Sequence, residues 1–307
     1  MTRFLATLGM TLIALFAAPV LALNVFATVP EWGALARELG GEDVTVYTAT
    51  TALQNVHHIQ ARPSLIAKYR QADLVIATGA ELEGGWLPAL AEKGNNPRVQ
   101  PGAPGHFEAF RHVKMLEVPE VLDRSMGDVH PYGNPHIQSS PHNILAIAAP
   151  LAERLAQLDP AHAAAYQSRH AAFEKKWREA IARWEIQARP LAGVRVVSTH
   201  RDSAYLYAWL GLREIATLEP KPGIPPSAGH LEKVLAVLKS QPAQMALRAA
   251  YQDAKPAKWI SERAGIPVVE LPFTVGGAPG TDDLFGYFDV TIARLLQGVP
   301  RKTEEKP

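Results

Sequence analysis

Asn55-Val56-His57-His58-Ile59-Gln60-Ala61-Arg62-Pro63-Ser64 joins two different local patterns. Before it, Val44 and Val46 alternate with polar residues, the period of a half-buried strand. After it, Pro63-Ser64 opens a helical stretch, since proline is tolerated in a first helical turn. A strand that ends, a pair of histidines and a helix that begins make a loop at the carboxyl edge of a sheet. In open α/β folds that edge is where ligands bind. The stretch therefore predicts an α/β fold and places imidazoles at its functional edge.

The same alternation extends outward in both directions. Residues 24–29 have the pattern of a buried strand, and Pro30-Glu31 opens a helix closed by Gly40-Gly41, as C-terminal glycines do. Residues 73–78 are a continuous apolar run bounded by Gly79, as in a central parallel strand. Residues 81–90 follow as a helix carrying Trp86. Residues 24–90 are thus βαβαβα, which implies a parallel sheet covered by helices. Residues 94–111 are rich in Gly and Pro and predict loops, with a further strand expected at 113–118. Residues 126–136 hold two glycines, two prolines and two histidines and predict irregular structure. From 141 to 188 the pattern is helical, interrupted only at Asp159-Pro160. The part after that break spans about 40 Å at 1.5 Å per residue, enough to cross a domain or join two. After Gly193 the βα alternation restarts, with strands expected at 194–199, 214–218, 244–248 and 267–271 and a last helix from Asp282 to about 296.

The fold class is therefore α/β: two (βα)4-like lobes with parallel sheets, residues 23–140 and 189–298, joined by one long linking α-helix at 141–188. Residues 1–22 carry Arg3, then an apolar run, then Val20-Leu21-Ala22, the pattern of a cleaved secretory signal peptide. Residues 299–307 are expected to be a flexible tail. Without residues 1–22 the charge balance falls from 31 basic and 30 acidic residues to 30 and 30, because Arg3 is the only charge removed. That balance offers no basic footprint for nucleic acid. The chain has no cysteine, so disulfides, thiolate metal sites and lipidation at an N-terminal cysteine are excluded. Export without lipidation predicts a periplasmic protein, and any metal site must use His, Asp, Glu or water.

Of eleven histidines, three occupy equivalent places. His57 follows the second strand of the first half, His136 lies in the loop before the long helical segment, and His200 directly follows the first strand of the second half. Neutral imidazole is the commonest protein metal ligand, and three imidazoles with an oxygen donor suit zinc. His162 and His170 fall on the helical segment and are expected to be solvated, and His106, His112, His142 and His230 have no partner pattern.

Four local motifs add to this. They are Asn55-Val56-His57 with Pro63-Ser64, the run from Gly79 to Trp86, Asn134-Pro135-His136, and His200-Arg201-Asp202-Ser203-Ala204-Tyr205. In this order they resemble the metal-binding solute-binding proteins of bacterial zinc and manganese ABC transporters, cluster A-I, of the zinc-uptake type. The resemblance covers the whole chain after the leader. It implies a metal site in the interlobe cleft, with His57 rather than His58 as first ligand and His136 and His200 as the next two. It also implies Zn2+ as the transported ligand, an ABC-type membrane permease as partner, a monomer, and no catalysis. One feature departs from the family. Where the family has a carboxylate ligand after the last strand, this chain has Phe273-Thr274-Val275-Gly276-Gly277. Asp282 is then the expected fourth ligand, with Asp283, Asp128, His130 or water as alternatives.

Two other functions fit part of these observations. Three protein ligands and an open position are the pattern of a catalytic zinc, so a zinc-dependent periplasmic hydrolase is one alternative. There is no His-Glu-x-x-His and no Gly-x-Ser-x-Gly, and Glu81 and Glu83 are the only candidate bases near a ligand loop in sequence order. A manganese-binding or metal-chaperone protein of the same fold is the other. Nitrogen-rich ligation favours zinc over manganese.

Overall fold

Each sheet is built from short apolar strands whose two faces pack against different helices. The computed structural model describes residues 22–121, 127 and 130–299. The expected leader up to residue 21, Asp128 and the tail from residue 300 lie outside the described residues. In the first lobe, β1 (Leu23–Ala27), β2 (Val44–Thr48), β3 (Leu74–Ala77) and β4 (His106–Glu108) form a sheet of order β2-β1-β3-β4. All three pairings are parallel. Helices α1 (Pro30–Gly40), α2 (Pro63–Gln71) and α3 (Leu87–Gly94) connect them. Helices α4 (Pro141–Leu158) and α5 (Ala163–Gln187) follow. The second lobe holds β5 (Arg195–Ser198), β6 (Arg213–Thr217), β7 (Met245–Ala249) and β8 (Val268–Leu271), again all parallel, in the order β6-β5-β7-β8. Its helices are α6 (Ala204–Leu210), α7 (Ala228–Ser240), α8 (Ala254–Ala264) and α9 (Leu284–Gly298). The two sheets thus share one strand order.

Strand alternation divides the hydrophobic interior into three parts. Val25, Ala27, Leu74 and Ile76 face one core, while Phe26 and Val75 between them face another. In the second lobe Val196 and Leu247 join the first of these cores, and Val197 and Ala246 face a third. The first core is continuous through both lobes. Its centre is aromatic: Trp177 of α5 lies 4.8 Å from Phe285 of α9 and 5.2 Å from Trp184, ring to ring, and Trp184 lies 5.2 Å from Phe288. Fully burying each such side chain contributes about 1.5–3 kcal/mol. The Trp177 indole N–H donates to Pro141 O at 2.8 Å, so the start of α4 lies beside the later half of α5 and the two helices run antiparallel. The linking helix expected at 141–188 is therefore two helices in a hairpin, with the turn at Asp159–His162 and α5 as the longer arm.

Four local expectations are corrected. The strand expected at 113–118 is absent, and the sheet is completed instead by the three-residue β4 inside the region assigned to loops. The helix expected at 81–90 begins only at Leu87. Residues before it form a tight turn with Gly79, Ala80 and Glu81 at φ 76°, 50° and 65°. The buried Glu83 carboxylate holds this turn by accepting the N–H groups of Thr78 (2.8 Å) and Gly79 (3.0 Å) and the hydroxyl of Thr28 (2.6 Å). The last helix starts at Leu284, with Asp283 as its cap. His162 is paired rather than solvated, its Nδ1 2.6 Å from Asp159 and its Nε2 3.5 Å from Asp43.

Candidate metal centre

The loop after β2 carries His57. The Asn55 side-chain oxygen accepts the His57 N–H at 3.0 Å, an Asx turn that fixes the backbone two residues on. The turn after β3 supports this loop from behind. Trp86 Nε1 donates to Val56 O at 2.9 Å, and Gly85 lies so close that a Cβ there would stand 2.9 Å from His57 O. His57 is 8 % exposed, whereas His58 faces solvent.

The same device recurs before α4. Asn134 accepts the His136 N–H at 3.0 Å through its side-chain oxygen. Its amide nitrogen donates to Glu117 (2.9 Å) and to Arg201 O (2.8 Å), and the Tyr205 hydroxyl donates to Asn134 O at 2.8 Å. The His136 loop is thereby pinned to the second lobe. His200, directly after β5, completes the set. Its Nδ1 is 2.6 Å from Glu219, which leaves Nε2 to face the other imidazoles.

His57, His136 and His200 are all buried, and one potential ligand atom from each lies within 4.8 Å of the other two. His57 Nε2 and His136 Nε2 are 3.3 Å apart. At that distance two imidazoles share either a proton or a cation. Burial, and then repulsion from neighbouring imidazolium charge, drives His57 down to about 3 and His136 well below its ordinary value. Both rings are therefore neutral at neutral pH, the form that ligates metals. His130 lies parallel to His57, with ring centroids 5.3 Å apart and planes at 21°.

The expected carboxylates are not in this group. Asp282 is exposed, and Asp283 accepts the Gly286 N–H at 2.7 Å as the N-cap of α9. The loop after β8 instead presents Phe273, whose ring centroid is 6.2 Å from that of His136. Asp128 lies outside the described residues. Glu83, a candidate base, is enclosed in the β3 turn described above.

Glu219 was not singled out from the sequence. Its place does carry a signal: β6 occupies in its sheet the position that β2 occupies in the first, so the loop with Glu219 corresponds to the loop with His57. A carboxylate on the far nitrogen of a ligating imidazole fixes its orientation and raises its basicity.

The family model described as "ZnuA: Zinc-uptake complex component A periplasmic" matches residues 25–297. The chain belongs to this family. The ZnuA family consists of metal-binding substrate-binding proteins of ABC transporters. Among curated relatives, the iron-binding protein YfeA of Yersinia pestis is 25 % identical over 75 % of this chain and 70 % of its own length. The metal ABC transporter substrate-binding lipoprotein SloC of Streptococcus mutans is 23 % identical over 82 % of this chain and 81 % of its own. The fold is similar to that in a crystal structure of ZnuA, with a TM-score of 0.76 and 20 % identity over 91 % of this chain and 100 % of that one. It is also similar to that of the SBP FpvC from Pseudomonas aeruginosa in complex with Mn2+, with a TM-score of 0.73 and 22 % identity over 90 % of this chain and 99 % of that one. The two-lobed ZnuA-like architecture expected from the sequence is thus present.

Proposed function

We propose that this protein captures Zn2+ in the periplasm with His57, His136 and His200 and hands it to an ABC-type membrane permease. The observation that carries the reading is the 3.3 Å separation of His57 Nε2 and His136 Nε2. Two nitrogen ligands at about 2.0–2.1 Å from a tetrahedral zinc stand about 3.3–3.4 Å apart. Buried imidazoles on three separate loops, two with their backbone N–H held by an asparagine side chain and the third with its ring against a carboxylate, supply ligands that need little rearrangement. Imidazole donors favour zinc over manganese, which prefers carboxylate and water. Relatives named for iron or manganese binding make the choice of ion the point to test. A hydrolase is disfavoured because Glu83 and Glu219 are engaged with backbone N–H groups, with Thr28 and with His200.

The test is calorimetric titration of the metal-free protein with zinc, iron(II) and manganese, with elemental analysis of the protein as purified. His57→Ala, His136→Ala and His200→Ala should each weaken zinc binding strongly, and His162→Ala should leave it unchanged. A wild-type protein without zinc affinity, or one that binds manganese more tightly than zinc, would overturn the proposal.

A further inference from the structure

Asn134 lies between two of the three converging histidines. Its side-chain oxygen accepts the His136 N–H at 3.0 Å, and its side-chain nitrogen donates to Arg201 O at 2.8 Å. Arg201 follows His200 directly. One buried amide group therefore ties the backbone of the His136 loop to that of the His200 loop. The same nitrogen donates to Glu117 at 2.9 Å, so both of its protons are used and only one orientation of the amide fits.

Tyr205 holds the other side of this junction. It is buried in the first turn of α6, the helix that leaves the His200 loop. Its hydroxyl donates to Asn134 O at 2.8 Å and accepts the Leu116 N–H at 3.1 Å. Leu116 and Asn134 are themselves joined, since the Asn134 N–H donates to Leu116 O at 2.8 Å. Gly133 permits this approach: it has φ 104°, and a Cβ there would lie 2.5 Å from Leu116 O. A single phenol thus fastens the segments at Leu116 and Asn134 to the element that carries His200. His57 is held from the first lobe, through Asn55 and Trp86.

We propose that Asn134 and Tyr205 are positioning residues that hold His136 and His200 as a preset pair of imidazoles, to which the first lobe adds His57. This rests on the reading that the three histidines bind the ion. Neither residue supplies a ligand atom. Asn134 acts by joining the two ligand loops, and Tyr205 by fixing Asn134. Without the phenol oxygen, Asn134 O and the Leu116 N–H each lose a partner inside the protein, and the loop must shift to find another.

The test is competition titration of the metal-free whole chain with zinc alone, using indicators of graded affinity. Tyr205→Phe should weaken zinc binding by about 10–100-fold, the range for loss of a group that orients a ligand. The same substitution should cost a similar factor in His57→Ala, where the pair remains, and nothing further in His136→Ala, where no pair is left to hold. A role confined to stability would not separate these two backgrounds, and thermal unfolding of the metal-free variants measures it on its own. Asn134→Ser is the second variant. Its hydroxyl can still accept the His136 N–H, as serine does in such turns, but the amide donors to Arg201 O and Glu117 are gone. It should weaken zinc binding as Tyr205→Phe does, and it carries the test if Tyr205→Phe does not fold. Zinc affinities of both variants within twofold of wild type, or an equal further loss in the His136→Ala background, would overturn this proposal and leave the triad standing. No zinc binding by the wild type would overturn both.

Discussion

Replacing Glu31 with glutamine is expected to stabilise the metal-free protein at pH 8 and to have almost no effect at pH 4.5. Glu31 lies in the first turn of α1 and is fully buried, against the loop that follows β8 in the other lobe. Neither carboxylate oxygen makes a hydrogen bond of good geometry. Burial pushes the carboxyl from 4.5 up to about 7, against a smaller downward pull from the Thr274 hydroxyl and the backbone of Glu31 and Val275. Between those two values the folded state holds a proton that the unfolded state has lost. Stability therefore falls as pH rises through this window. The favourable contribution is fully present below 4.5 and gone above about 7. The step from 4.5 to about 7, at 1.36 kcal/mol per pH unit, corresponds to about 3 kcal/mol by pH 8. Glutamine has the same shape and no charge to desolvate, so the variant should gain about that amount at pH 8. Urea unfolding of both proteins at the two pH values, with a chelator present to remove ligand linkage, measures the difference directly. An equal effect at pH 4.5 and pH 8, or a loss of stability at pH 8, would refute the argument that an uncompensated buried carboxylate sits between the lobes.

Two further outcomes follow from the site. Glu219→Gln should weaken zinc binding by about 10–100-fold in a competition titration, because His200 loses the carboxylate that orients it; affinity within twofold of wild type would remove Glu219 from the site. Asp283→Ala should cost about 1 kcal/mol of stability in denaturant unfolding through loss of the α9 cap while leaving zinc affinity unchanged, and Asp282→Ala should do neither; a drop in zinc affinity in either variant would restore these acids as ligands.

Much of the fold was legible because its signals are local. The run at 73–78 became β3, and Pro63 opened α2. Where reading failed, a distant partner set the backbone. A helix was expected from Glu81, yet Glu83 turns back onto Thr78 and Gly79 and across to Thr28, and the backbone enters the left-handed region instead. Strand β4 is only three residues long, and it forms because β3 offers an unpaired edge.

For the site the division is similar. The sequence alone determined which histidines end strands or precede helices, and the two Asn-x-His segments that hold their own backbones. Tertiary structure alone decided which of those histidines meet, because convergence depends on two separately wound sheets being packed through one aromatic core. It placed Glu219 behind His200, stacked His130 on His57, and left Asp282 and Asp283 outside the converging group, one facing solvent and the other capping α9. Distances between loops of different lobes are set by that packing, and no periodicity or spacing within the chain encodes them.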